Sequence, residues 1–499
     1  MFYKYVYQFY KLLCDYLYYN EILQISHSQK NIRNILIKYN MIYFNLNRTY
    51  SYKYINNIDF AKYINTIGTI YSLNLTNYKK ITHISNISNI YKIDLYCCDS
   101  LYNLYNFNNI HILILSACES LRDVSMLGNI HTLDLSYCIN IRDVSKLGNV
   151  YNLNLSNCEN IRDISMLQNV HTLNISGCDN IPINHISLLT KVQILNISYW
   201  NSITNLNIIN DLNSLNKLTI IDSSLTYILN PINIKIVDLS YTYNLTNVDM
   251  LSNVYDLNLS FCNNIQDVSM LSNIHTLNLS WCKNINTVSA LSNVYNLKLS
   301  SCNIDNVSTL GKVHNLNLSN CKNINDVSML GNIHILDLSY CTNITNISNL
   351  TNIHSLNLSY CNIYDVSMLG NIHTLNLEYC NEITDVSMLS NIYSLNISCC
   401  NKISNINILS NINTLNLSYS NIVDVSMFSN IHTLNLECCI NITDISMLIN
   451  VKNLNIQFCS NITLDNIKTL ITNYENNIKT LITNYENDKN YNNKINIFT

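Results

Sequence analysis

The chain has 499 residues, with 28 Lys and Arg scattered against 32 Asp and Glu for a net charge of −4, which excludes the basic footprint of a nucleic-acid binder and a polybasic membrane patch. Charged residues are 12% and hydrophobic ones 48%, a balance that excludes a disordered chain and a charged coiled coil, and no apolar run approaches the ~20 residues that span a bilayer. Only 7 Gly and 2 Pro are present, so the abundant Asn, whose side chain favours turns, must shape most of them.

Residues 1–50 open with MFYKYVYQFYKLLCDYLYY, in which Lys4 and Lys11 stand among tyrosines without a small-residue cleavage site, so the expected location is intracellular and cytoplasmic. Apolar residues at Leu12, Leu13, Tyr16 and Leu17, at Ile22, Leu23 and Ile25, and at Ile32, Ile35 and Leu36 predict short helices. The run LLCDYLYYNEILQISHSQKNIRNIL resembles a degenerate F-box that lacks the leading Leu-Pro of that family. The resemblance implies that Leu13, Leu17, Ile22, Leu23 and Ile25 dock the linker subunit of a cullin-type ubiquitin ligase. From the residues alone, the segment is equally a helical cap over an exposed apolar edge. Residues 51–70 read as a connector.

From 71 to 463 the chain repeats. Cys118, Cys138, Cys158 and Cys178 fall 20 apart, and the column continues through Cys262, Cys282, Cys302, Cys321, Cys341, Cys361, Cys380, Cys400, Cys439 and Cys459 at steps of 20 or 19. Tyr78, Cys98, Trp200, Ser223, Thr242 and Ser420 complete 20 units. The shorter steps omit one residue after the column, as in SSCNIDNV, so the deletions fall in a loop. The unit is I-x-x-L-x-L-S-x-C-x-x-I-x-D-V-S-x-L-x-N. Leu133 and Leu135 alternate with polar residues and predict a short strand, while Ile141, Val144, Leu147 and Val150, at every third position, predict turns or 3₁₀ segments. One such unit cannot bury its apolar face alone, whereas stacking joins the Leu columns into a continuous core.

This pattern resembles the leucine-rich repeat family, in a cysteine-containing form with the I-x-D-[VI]-S-x-L ending of internalin-like repeats. The resemblance implies an α/β repeat solenoid, curved, with a parallel β-sheet on its concave face, and a protein-binding role. An F-box joined to such repeats, with this bias toward Asn, Ile, Tyr and Lys, is also similar to proteins of large DNA viruses of amoebae.

Fifteen of the 19 Cys lie in the column, and an in-line stack with no C-x₂-C knuckle points to buried free thiols in a reducing compartment rather than disulfides or a metal site. The Asp-x-Ser pairs, such as Asp123/Ser125 and Asp143/Ser145, read as caps on short turns. A His/Tyr column precedes each strand, with His314, His334, His354 and His373 on successive rungs. Stacking there predicts lowered imidazole pKa values. Asn154, Asn174, Asn258, Asn278, Asn317, Asn357, Asn376 and Asn416 on the strands read as a self-satisfied amide ladder. The column before the Cys is the candidate partner-binding site. Its aromatics include two runs, Tyr241, Phe261, Trp281 and Tyr340, Tyr360, Tyr379, and aromatic clusters are enriched at interface hot spots. Trp200 joins these candidates because it replaces the Cys in the irregular stretch from Cys178 to Thr242, which also holds both prolines.

At the C-terminal end, 464–499, NIKTLITNYEN occurs twice in tandem, and Ile467, Leu470, Ile471, Tyr474, Ile478, Leu481, Ile482 and Tyr485 predict a helical cap maintained by an 11-residue period. No catalytic residue set, cofactor motif or metal cluster is evident. The expected function is a non-enzymatic interaction adaptor, the substrate-recruiting F-box subunit of a ubiquitin ligase, with a plain interaction scaffold as the alternative and a secreted adhesin behind both.

Overall fold

The computed structural model describes residues 43–472, apart from 68, 85–86, 88–89, 103, 105–106, 108–109, 205–206 and 228–233, together with 480–482. The F-box-like residues Leu13, Leu17, Ile22, Leu23 and Ile25 lie outside the described residues. The chain forms two units, Met1–Thr242 and Tyr243–Thr499.

In the first unit, strand β1 (Tyr43–Leu46) lies parallel to β2 (Thr69–Asn74), and two helices, α1 (Arg48–Asn56) and α2 (Ile58–Ile67), make the crossover. The stretch expected as a connector is therefore helical. Asn47 starts α1 by accepting the Tyr50 N–H at 3.2 Å, and Asn57 starts α2 by accepting the Phe60 N–H at 2.9 Å. Tyr54 and Ile55 of α1 and Ala61 and Ile64 of α2 are buried. Buried Ser51 ties the helix to the sheet, its hydroxyl donating to Leu46 O and accepting the Asn74 N–H, both at 2.9 Å.

Three-residue strands then follow from β3 (Lys92–Asp94) to β10 (Ile236–Asp238), each parallel to its predecessor. Leu113, Leu133, Leu153 and Leu173 pair in strict register, and the central residue of each strand is buried. After each strand the apolar residues recur every third position, and segments such as Ser125–Leu127 and Ser145–Leu147 form the 3₁₀ turns that this spacing predicts.

The second unit repeats the scheme from β11 (Asp256–Asn258) to β21 (Asn453–Asn455). The 19-residue steps leave the register intact: Leu297 pairs with Leu316, Leu356 with Leu375 and Leu415 with Leu434. The tandem NIKTLITNYEN copies diverge. The first supplies helix α3 (Leu464–Thr472), with Leu470 fully buried, whereas the second supplies strand β22 (Thr480–Ile482), paired with β21. The expectation of one continuous helical stripe is corrected here, because the unpaired edge of β21 satisfies the second copy's backbone as a strand.

The Cys column is buried, and all the described cysteines are free thiols. Column thiols also donate across to the preceding rung, as Cys138 Sγ does to Leu115 O at 3.1 Å and Cys158 Sγ to Leu135 O at 3.0 Å. Trp200 meets the same requirement with its indole, Nε1 donating to Ile175 O at 2.9 Å, and Thr242 with its hydroxyl, donating to Ile220 O at 3.3 Å. Trp200 is 0% exposed, so it cannot contact a partner. The expectation that it contacts a partner is corrected: it is a core residue in the place of a column cysteine. Ser223 is the exception in the column, with a buried hydroxyl that finds no partner. Ser223→Cys, with its longer C–S bond, should reach the carbonyl of Ile197 and stabilise the first unit by about 1 kcal/mol, read as a rise in denaturant midpoint. An unchanged or lower midpoint would contradict this account.

Candidate interaction surface

The residue before the column is set by backbone geometry. The Cys138 N–H closes a four-residue turn on Leu135 O at 3.1 Å, the Tyr137 N–H donates to Ser156 O on the next rung at 2.8 Å, and Tyr137 has φ 59°. That is the third position of a type II turn, where Gly or Asn is unstrained. Among the described residues, every non-glycine residue with positive φ belongs to this column, at φ between 50° and 65°. Asn77, Asn157, Asn320 and Gly177 match the preference, whereas Tyr137, Tyr199, Tyr241, Phe261, Trp281, Tyr340, Tyr360, Tyr379, Tyr419 and Phe458 do not. An aromatic side chain held there costs about 1–2 kcal/mol, a strain met at rungs such as those of Tyr137, Tyr340 and Tyr360 by the hydrogen bonds that close the turn.

These rings form ridges. Phe261 stacks on Trp281 with centroids 5.4 Å apart, and Tyr340, Tyr360 and Tyr379 stack at 4.3 and 4.5 Å. Tyr340 is 46% exposed, Tyr379 41% and Trp281 39%, while Phe261 and Tyr360 are half-buried. Desolvation and hydrogen bonding with Tyr340 push the Tyr360 phenol up to about 12. Tyr241 is exposed in the first unit. Of the residues expected to bind a partner, all but Trp200 therefore reach the surface.

At the other end of the strands, the His/Tyr column is a continuous ring stack. Tyr71, Tyr91, His111, His131, Tyr151 and His171 follow one another at 4.3–4.9 Å in the first unit, and Tyr255, His275, Tyr295, His314, His334, His354, His373 and Tyr393 at 4.4–4.9 Å in the second. Desolvation, then the neighbouring imidazoles, lower the pKa of His334, and desolvation and His131 lower that of His111. Parallel rings aim their nitrogens side by side rather than at one point, and no group of three or more His, Cys, Asp or Glu among the described residues could hold a metal ion.

Between the two aromatic borders lies a polar strip. The strand amides do not chiefly form a ladder. Each of the eight Asn residues accepts the backbone N–H two residues on, as Asn154 does from Ser156 and Asn376 from Glu378, at 2.9–3.1 Å. The caps are as expected, with Asp123 accepting the Ser125 N–H at 2.9 Å and Asp143 that of Ser145 at 2.8 Å, bonds that hold both carboxyls below the usual range. Sequence reasoning missed an exposed methionine column on the 3₁₀ side: Met126, Met166, Met250, Met270, Met329, Met368, Met388 and Met447. Its signal was the position between the cap and the inward Leu.

No known family model and no curated protein matches the chain. Solved structures do. A chain of the mouse RP105/MD-1 complex is similar at 16% identity, over 84% of this chain and 81% of that one, with a TM-score of 0.54. A leucine-rich-repeat protein of Leptospira interrogans is similar at 20% identity, over 74% and 96%, with a TM-score of 0.42. The functional domain of InlJ from Listeria monocytogenes, which includes a cysteine ladder, is similar at 16% identity, over 77% and 73%, with a TM-score of 0.31. The fold is that of a leucine-rich-repeat solenoid with a parallel sheet and repeating 3₁₀ turns.

Proposed function

We propose that the chain is a non-enzymatic protein-interaction scaffold whose aromatic ridges hold a partner protein. The observation that carries this reading is the exposure of stacked aromatics at left-handed positions that Asn would fill without strain. A fold that needs only turns there has no use for exposed rings, whereas an interface does. A similarly folded chain forms part of a two-protein complex in mouse RP105/MD-1. The test is affinity purification of the full chain from the producing cell, with Tyr340, Tyr360 and Tyr379 all replaced by Ser as the comparison. The expected result is loss of the co-purifying protein with an unchanged circular dichroism spectrum. Retention of the same protein by the variant overturns the reading.

The F-box-like run supports the finer reading of a ubiquitin-ligase adaptor, with Leu13, Leu17, Ile22, Leu23 and Ile25 as docking residues, and the viral resemblance belongs with it. A linker subunit of a cullin-type ligase would then co-purify with the chain and be lost on Leu13→Ala with Leu17→Ala. The buried thiol ladder favours a reducing, intracellular setting. No helix among the described residues is long and apolar enough to cross a membrane.

A further inference from the structure

We propose that the gap in the aromatic ridge between Trp281 and Tyr340 is a docking notch for an acidic, aromatic-bearing segment of a protein partner. The inference deepens the scaffold reading and rests on it. Trp281 and Tyr340 end two separate stacks, with Phe261 behind one at 8° between planes and Tyr360 behind the other at 10°. Within a stack only ring edges are offered to a partner, but Trp281 and Tyr340 each end a stack, and over the Trp281 ring lies the Lys283 ammonium, an exposed cation that a partner's carboxylate can draw aside. The rungs between them carry Ser301 and Asn320 in the column, joined by a 2.8 Å hydrogen bond from Asn320 Nδ2 to Ser301 Oγ. At ~4.8 Å per strand, three rungs separate the walls by ~14 Å, which leaves about 10 Å between ring surfaces.

Missing rings open the floor. Ser260, Ser339 and Ser359 lie beneath the column and are buried, whereas Ser280, Ser300 and Ser319, in and beside the notch, are only half-buried. The charge is also local. Lys298 replaces the strand Asn within the gap, Lys283 places Nζ 5.7 Å from the Trp281 ring centroid, and Lys322 follows the column beside Asn320. All three are exposed, and none forms an ion pair with another of the described residues. The acidic side chain on the sheet face of these rungs is Asp337, whose oxygens accept the Ser339 N–H and the Asn317 amide. A flat side chain packs on either wall of the notch, which has room for the two rings missing at Ser301 and Asn320, and carboxylates flanking it meet the three lysines. The three lysines are confined to neighbouring rungs of a chain whose net charge is −4, which suits a short acidic segment rather than a long polyanion such as RNA. The first unit has a gap of the same length between Tyr137 and Tyr199, but its Ser156 and Ser176 stay buried, and its strands carry Asn154 and Asn174 rather than a lysine.

The test is fluorescence anisotropy of the full chain with a fluorescein-labelled random copolymer of glutamate and tyrosine at low salt, beside labelled oligo(U). The expected result is saturable binding to the copolymer, weakened at least about tenfold by Lys298→Glu and by the double variant Ser301→Tyr with Asn320→Tyr. The double variant fills the notch with a residue type the column already holds on other rungs, so its circular dichroism should match that of the parent chain. Asn157→Tyr, in the gap of the first unit, should leave binding unchanged. Absence of saturable binding, binding that survives the filled notch, or equal capture of oligo(U) overturns the proposal. Loss of the cellular partner on replacing Tyr340, Tyr360 and Tyr379, with no effect of filling the notch, overturns the notch while leaving the scaffold reading standing.

Discussion

Raising the pH from 9 toward 11 should unfold the array over a narrow interval, by a mechanism built into its cysteine column. Burial pushes the thiols of Cys321 and Cys380 up to about 11 and that of Cys361 to about 12, from an ordinary value of 9.0, and that of Cys341 higher still. The folded chain therefore keeps these protons where the unfolded chain has released them. Stability from this source is fully present below pH 9 and is lost as the pH climbs toward the folded values, at about 1.4 kcal/mol per thiol per pH unit. Because a domain is normally stable by only about 5–15 kcal/mol, a run of such thiols titrating together is enough to unfold it within one or two units. Circular dichroism against pH, with a thiol-reactive dye as a second probe, measures the transition. Replacing Cys321, Cys341, Cys361 and Cys380 by Ala should lower stability at neutral pH, since buried volume and S–H bonds are lost, and yet make the loss of stability with rising pH shallower. If the steepness of that loss is unchanged, thiol ionisation is not the cause.

Trp200→Ala should be among the most damaging single substitutions in the first unit. The side chain is fully buried, and its indole hydrogen bonds to Ile175 O at 2.9 Å, so removal leaves a large cavity and costs about 3–5 kcal/mol. In a stacked array each rung is held by its neighbours, so the damage should be local. The Ile175 N–H is held by Asn196 O at 2.9 Å and the Ile197 N–H by Thr219 O at 3.0 Å, and both should exchange with solvent roughly a hundredfold or more faster. The Leu338 N–H, held by Asn357 O at 2.8 Å in the second unit, should be unaffected. Trp200→Cys should recover only part of the loss, because it restores a donor without filling the space. Unchanged protection at Ile175 and Ile197 would show that the irregular rungs do not depend on the indole.

The repeat and its strand register were legible because two simple periods, alternation at Leu133 and Leu135 and every third residue from Ile141 to Val150, point to the same inward face. The left-handed column was not. Tyr, Phe and Trp argue against positive φ by their own preference, and the hydrogen bonds of the turn overrule them. The Asn157 and Gly177 scattered through the same column were the available signal. Trp200 read as a contact because it replaces the Cys in the irregular stretch from Cys178 to Thr242, although a place in the cysteine column already indicated an inward side chain. The strand at Tyr43–Leu46 was obscured by polar and aromatic neighbours, and it pairs because β2 offers it an edge. On the candidate surface, the aromatic runs could be read from sequence. The notch between them could not, since a gap has significance only once ring planes and rung spacing are known.

The duplicated eleven residues at the C-terminal end carry one more implication. The same Thr-Leu-Ile lies in a helix at Thr469–Ile471 in one copy and forms a strand at Thr480–Ile482 in the next, where it met the free margin of the sheet. That margin acts as a mould: it draws into strand geometry three residues that are helical in the other copy. Lengthening such a protein by tandem duplication of genetic material needs no new design, because the extra copy is recruited where the old one stopped. Array length is then a property that selection can adjust freely, one small duplication at a time.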